Sequence, residues 1–135
     1  MKYSYLTSFN PRTGQHFRRP IVDVEIFGPT GNFSTIALLD SGADNCLFNI
    51  EYAKEIGIDL NKCTKTSTTG VEGDRTDVYL TEIYIQVKFL DKIKIEVGFI
   101  DSRSVNGLLG QIGFFDLNRI KFERDHGTFE INPVK

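Results

Sequence analysis

The period of the apolar residues constrains this chain most, and over most of its length that period is two. Val22, Val24 and Ile26 alternate with Asp23 and Glu25, and Ile93, Ile95, Val97 and Phe99 keep the same strict alternation. Successive side chains of a strand point to opposite faces, so this pattern predicts strands with one face buried. Turn chemistry separates the alternating runs. Residues 21–27 and 33–39 flank Gly-Pro-Thr-Gly-Asn and read as a hairpin, a tight turn at 90–92 precedes the run from Ile93, and a turn at 125–127 sets Ile120 and Phe122 against Phe129 and Ile131. Residues 49–57 change period: Asn49 can cap, Glu51 suits the first turn of a helix, and Gly57 can close it in the left-handed region. A second brief helix is expected after a short buried strand ending at Gly110. Two extended arms are expected around residues 70–73. In the second arm the apolar phase slips from even (Val78, Leu80) to odd (Ile83, Ile85, Val87), which predicts a bulge or sharp bend near Thr81 and Glu82. Many short strands with one or two short helices predict an all-β chain, a closed or nearly closed antiparallel β-barrel.

A length of 135 residues suits one domain, 1–135, with a single core. Its first 17 residues form an N-terminal extension that reads as strand, turn at 10–14 and strand, and is expected to be a hairpin or interface arm. Sixteen Lys and Arg stand against eighteen Asp and Glu, a net charge of −2 without a block of like charge. The electrostatic footprint of a nucleic-acid binder is missing, so no nucleic-acid partner is expected. No apolar run approaches the roughly 20 residues of a membrane span, and the N-terminus lacks an apolar signal core. A soluble, cytoplasmic protein without a membrane partner is the expectation. Cys46 and Cys63 are the only cysteines and His16 and His126 the only histidines, with no metal-ligand spacing. No metal or cofactor is expected, and the cysteines read as reduced.

Against this background, "IALLDSGADNCLF" at residues 36–48 places a carboxylate at the end of an apolar strand. A lone ionised carboxylate inside or at the rim of a barrel is costly. Taken alone, Asp-Ser-Gly at a strand end is an ordinary turn sequence. Here it comes as "LLDSGAD", with Leu108, Leu109 and Gly110 far downstream in "GLLGQIGFF" and "TTGVEG" between the two.

The ordered combination, from about residue 18 to 131, resembles the retropepsin-like aspartic proteases. That resemblance implies a retropepsin-type barrel and an aspartic endopeptidase in which Asp40 is catalytic. It implies that Ser41 braces the two active-site loops across a dimer, that Gly42 brings its N–H near the carboxylates, and that Ala43 follows within the same loop. Leu108, Leu109 and Gly110 are implied as support behind that loop. Thr69, Gly70, Val71, Glu72 and Gly73 match the flap, which would close over an extended peptide or protein substrate. The chain holds one such motif, since "FIDSRSV" has Arg103 where glycine is needed. An active protease must therefore be a homodimer with Asp40 from each subunit at the two-fold axis.

The chain departs from the retroviral pattern at several points. Ser41 stands where many relatives have Thr, Glu72 adds a charge to the flap tip, and the termini differ from the short segments that knit retroviral dimers. Gln111 stands where an Arg usually pairs with the acid corresponding to Asp44, and Arg18, Arg19 and Arg103 are the candidate substitutes. Two other readings remain open: a catalytically silent retropepsin-fold module that binds peptides or proteins, and an unrelated small barrel in which Asp-Ser-Gly is only a turn.

Overall fold

The computed structural model describes residues 1–69 and 75–134. Its strands are β1 (Lys2–Ser4), β2 (Leu6–Asn10), β3 (Gln15–Arg19), β4 (Ile21–Phe27), β5 (Asn32–Leu39), β6 (Leu47–Asn49), β7 (Thr64–Thr69), β8 (Arg75–Val87), β9 (Ile93–Ile100), β10 (Gly107–Leu109), β11 (Asn118–Glu123) and β12 (Thr128–Pro133). One α-helix, α1 (Glu51–Glu55), follows β6, and short 3-10 turns span Leu60–Lys62, Phe115–Leu117 and Arg124–His126.

The expected alternation positions the core. Val22, Val24 and Ile26 of β4 are buried, as are Ile83, Ile85 and Val87 of β8 and Ile95, Val97 and Phe99 of β9. These residues pack with Phe48, Phe114, Phe129 and Ile131 in one cluster. Hydrogen bonds run through β4, β5, β10, β6, β9 and β8 in that order and return from β8 to β4, closing a ring. Most pairings are antiparallel, but β10 runs parallel to β5 and β6 runs parallel to β9. β10 inserts between β5 and β6, with Leu108 opposite Leu38 on one side and Leu47 on the other.

The long strand β8 serves two neighbours along one edge. Residues Arg75 to Leu80 pair with β7, and Tyr84 to Val87 pair with β4. Its other edge pairs with β9 one residue to one from Val78↔Ile100 to Ile85↔Ile93. The bulge expected near Thr81 and Glu82 is therefore absent. From Tyr79 to Val87 the odd residues face the core, with Tyr79 packed against it, whereas Arg75 and Asp77 are exposed. The even face carries Glu82 and Tyr84 below, where it meets water, and Val78 and Leu80 above, where it is covered. A Cβ on Gly98 would lie 2.4 Å from Val78 and 2.9 Å from Leu47, so glycine is what lets β6, β8 and β9 close together there. The even face is apolar at that end while the odd face turns polar at Asp77 and Arg75, and the sequence shows this as an apparent slip of phase.

At the helix, Asn49 Oδ1 accepts from the Glu51 N–H at 3.0 Å, and Gly57 takes a φ of +80° past its end, both as expected. β12 pairs with both β1 and β11, a three-stranded sheet whose Phe129 and Ile131 enter the core. β2 and β3 form a separate two-stranded sheet with Gly14 at φ +72° in its turn. No helix is long and apolar enough to cross a membrane.

Candidate active site

β5 delivers Asp40 to one end of the ring. The Leu39 N–H donates to the Pro20 carbonyl at the start of β4, and the Asp40 N–H donates to the Leu109 carbonyl of β10 at 3.0 Å. Two neighbouring strands thus hold the carboxylate's backbone. The chain then turns at once: the Ala43 N–H donates to the Asp40 carbonyl at 3.1 Å, and the Gly42 N–H donates to Asp40 Oδ1 at 2.9 Å. Asp40 is half-buried, whereas Ser41 and Gly42 are exposed. The side chain sits at the rim, as the apolar run before it implies.

Gly110 is the floor of this loop. A Cβ on it would fall 2.5 Å from the Asn45 carbonyl oxygen and 2.6 Å from that of Ala43, so the loop backbone lies directly on the glycine. Beyond it, the Gln111 N–H donates to the Ala43 carbonyl and the Ile112 N–H to the Asp44 carbonyl. Leu108 and Leu109 lie opposite Leu38 and Leu39, beside the strand that ends in Asp40. The structure therefore brings Asp40, Ser41, Gly42, Ala43, Leu108, Leu109 and Gly110 together.

Cys46 and Gln111 join the same cluster; sequence reasoning gave Cys46 no part in it and noted Gln111 only for the missing Arg. Buried Cys46 Sγ accepts from the Gly110 N–H at 3.4 Å, and burial pushes its thiol above the ordinary range. Both cysteines are free thiols. Gln111 Nε2 donates to the Ser41 carbonyl at 2.8 Å, tying the loop beside Asp40 to the segment after β10. Asp44 is exposed, and among the described residues neither it nor any arginine takes part in an ion pair. Arg18, Arg19 and Arg103 do not replace the missing partner of Asp44 within the chain.

A groove of about 650 Å³ opens over Asp40. Leu47, Val78 and Leu108 form its apolar wall, Asp44 and Asn45 a polar corner, and Thr66 to Thr68 of β7 its far side. β7 is the outermost strand of its sheet, and the β7–β8 arm carries Thr69 opposite Arg75 at its last described pair. The expected flap residues Gly70, Val71, Glu72 and Gly73 lie outside the described residues. Asp101 is exposed and does not line the groove.

The fold that presents this site has counterparts of known structure. The chain is similar to the retroviral protease-like domain of Ddi1 from Leishmania major, with a TM-score of 0.60 and 14% identity over 86% of this chain and 90% of that one. It is also similar to a retropepsin-like aspartic protease from Rickettsia conorii, with a TM-score of 0.55 and 17% identity over 94% and 98% of the two chains. The chain has the retropepsin-like fold. No family model matches it, and no curated protein does. The likeness is one of architecture, and within the retropepsin-like fold Asp40 occupies the end of the strand that leads into the groove.

Proposed function

We propose that the protein is an aspartic endopeptidase, assembled as a homodimer, that hydrolyses peptide bonds of extended peptides with Asp40 from each subunit. The observation that carries this reading is the seating of Asp40: half-buried, held by the Gly42 N–H, and open to a groove walled by Leu47, Val78 and Leu108. Aspartic proteases work through two carboxylates in close contact, which cannot both ionise easily and so share a proton. One acts as general base on a water while the protonated one polarises the scissile carbonyl. This chain offers one Asp-Ser-Gly, so the pair requires a second copy.

The far side of the groove supports an extended substrate. β7 is a terminal strand of Thr, Ser and one Lys, and such an edge offers N–H and C=O groups to an added strand whose alternate side chains enter pockets. In the proposal, Thr69, Gly70, Val71, Glu72 and Gly73 form the flap above it, and closure excludes water from the reacting carbonyl. In the same proposal Ser41, exposed beside Asp40, braces the other subunit's loop.

The deciding experiment is cleavage of a diverse peptide library from mildly acidic to neutral pH, with wild type and Asp40→Asn compared at several protein concentrations. The expected result is cleavage by the wild type alone, with an acid-side bell-shaped profile that belongs to the pair of carboxylates. A catalytically silent peptide-binding module is the second reading, favoured by the single Asp per chain. Peptide binding without cleavage at any pH or concentration would select it.

A further inference from the structure

The β2–β3 hairpin is poorly supported by its own chain. An isolated two-stranded hairpin is marginal in water at best, yet β2 and β3 pair with each other and with no other described strand. Leu6 and Phe9 are 46% and 55% exposed, and Arg18 and Arg19 are exposed as well. The cross-strand register puts Leu6 and Phe17 on one face and Phe9 and His16 on the other, so each face presents an aromatic ring.

Charge sorts by segment, although no run of like charge is contiguous. Residues 1–19 contain Lys2, Arg12, Arg18 and Arg19 and no acid, whereas residues 20–53 contain Asp23, Glu25, Asp40, Asp44 and Glu51 and no Lys or Arg. Removing the hairpin's three cations, Arg12, Arg18 and Arg19, from the sixteen leaves thirteen basic against eighteen acidic residues, so the rest of the chain carries −5. The cationic arm is attached to an anionic body, and none of its arginines is paired within the described chain.

The root of the arm lies beside Asp40. Pro20, which joins β3 to β4, accepts the Leu39 N–H, so the arm leaves the ring one strand spacing, about 4.8 Å, from the strand that ends in Asp40. Five residues of strand reach about 17 Å. If the two Asp40 carboxylates meet on a two-fold axis, an arm of that reach, rooted beside them, meets the second copy.

We infer that the β2–β3 hairpin is a cationic clamp that docks on the anionic body of a second copy of this chain and holds the two Asp40 loops together. The inference rests on the homodimeric reading above. Two-fold symmetry makes the contact reciprocal, each arm on the other body, and so doubles its contribution. It also gives assembly a salt dependence, because exposed charge pairs are screened once the Debye length falls to a few ångströms. Because β1 and β12 are paired within the chain, the hairpin takes the place of terminal strands exchanged between subunits.

The test is the dimer dissociation constant from sedimentation equilibrium at low salt and at about 1 M salt, for wild type, Arg18→Glu/Arg19→Glu and Arg18→Gln/Arg19→Gln, with thermal melting to verify folding. Charge reversal is expected to weaken the low-salt dimer by about tenfold or more, neutralisation by less, and high salt should bring all three together. Folded variants whose dissociation constants equal that of a dimeric wild type would overturn the clamp and leave the homodimer standing. A wild type that is monomeric at every concentration would overturn the homodimer itself. Unchanged dimerisation with wild-type retention on heparin that the reversal abolishes would assign the arm to an outside polyanion, and would also overturn the clamp.

Discussion

Gln111 shows how a neutral side chain can brace the loop that carries Asp40. Its Nε2–H donates to the Ser41 carbonyl, a neutral brace that holds the loop beside Asp40 at any pH. In Gln111→Glu the side chain can donate only when protonated, so kcat should fall at neutral pH and recover toward acid with KM little changed. Gln111→Met should lose activity at every pH. Initial-rate profiles of the two variants check this, since a merely structural role would leave the shape of the profile unchanged. Gly110 makes the opposite demand, for the absence of atoms. Gly110→Ala puts a methyl 2.5 Å from the Asn45 carbonyl oxygen, and should cost about 1–3 kcal/mol in urea unfolding and displace the Asp40 loop. At this scale the motif made Asp40, Gly42 and Gly110 legible. The roles of Gln111 and Cys46 were not, because each depends on a residue some seventy positions away being folded against it.

Among the elements, β8 is where sequence pattern and structure part. The apparent slip between Leu80 and Ile83 reflects a strand whose second face becomes covered at the groove end, while its pairing with β9 stays unbroken. Periodicity reports which faces are dry, not where a ladder breaks. β1 makes a different kind of contribution. Tyr3 stacks on Phe129 at 5.3 Å and its hydroxyl donates to the Lys88 carbonyl at 2.6 Å, so β1 is tied to both the C-terminal sheet and the β8–β9 turn. Burial pushes the Tyr3 phenol up to about 12 from its ordinary 10.0. The unfolded chain therefore gives up this proton first. The stability Tyr3 contributes is complete below pH 10 and declines as pH rises from 10 toward 12. Tyr3→Phe should lose about 1 kcal/mol at neutral pH through the missing hydrogen bond, and its stability should fall less between pH 10 and 12 than that of the wild type. Thermal melting across that range is the measurement. Similarly, Asn49→Ala should cost about 1 kcal/mol by leaving the first turn of α1 uncapped.

For the whole molecule, the open question is what completes a groove to which the chain brings a single Asp-Ser-Gly motif. If a second copy does, specific activity falls on dilution below the dimer dissociation constant, and mixing in excess Asp40→Asn protein suppresses wild-type activity as heterodimers form. A concentration series at fixed peptide concentration measures both effects. Much of the architecture could be read from the sequence because it is local. Alternation fixes which face of each strand is dry, Gly and Pro punctuate the turns, and "LLDSGAD" with "GLLG" names the loop and its support. Folding alone determined that β10 passes between β5 and β6, that β8 pairs without a bulge, that Gln111 braces Ser41, and that a cationic arm is rooted beside Asp40. The physical reason is range: alternation, caps and turns act over a few residues and are written locally, whereas pairing partners, close approaches and charge neighbours are chosen by the packing of distant segments.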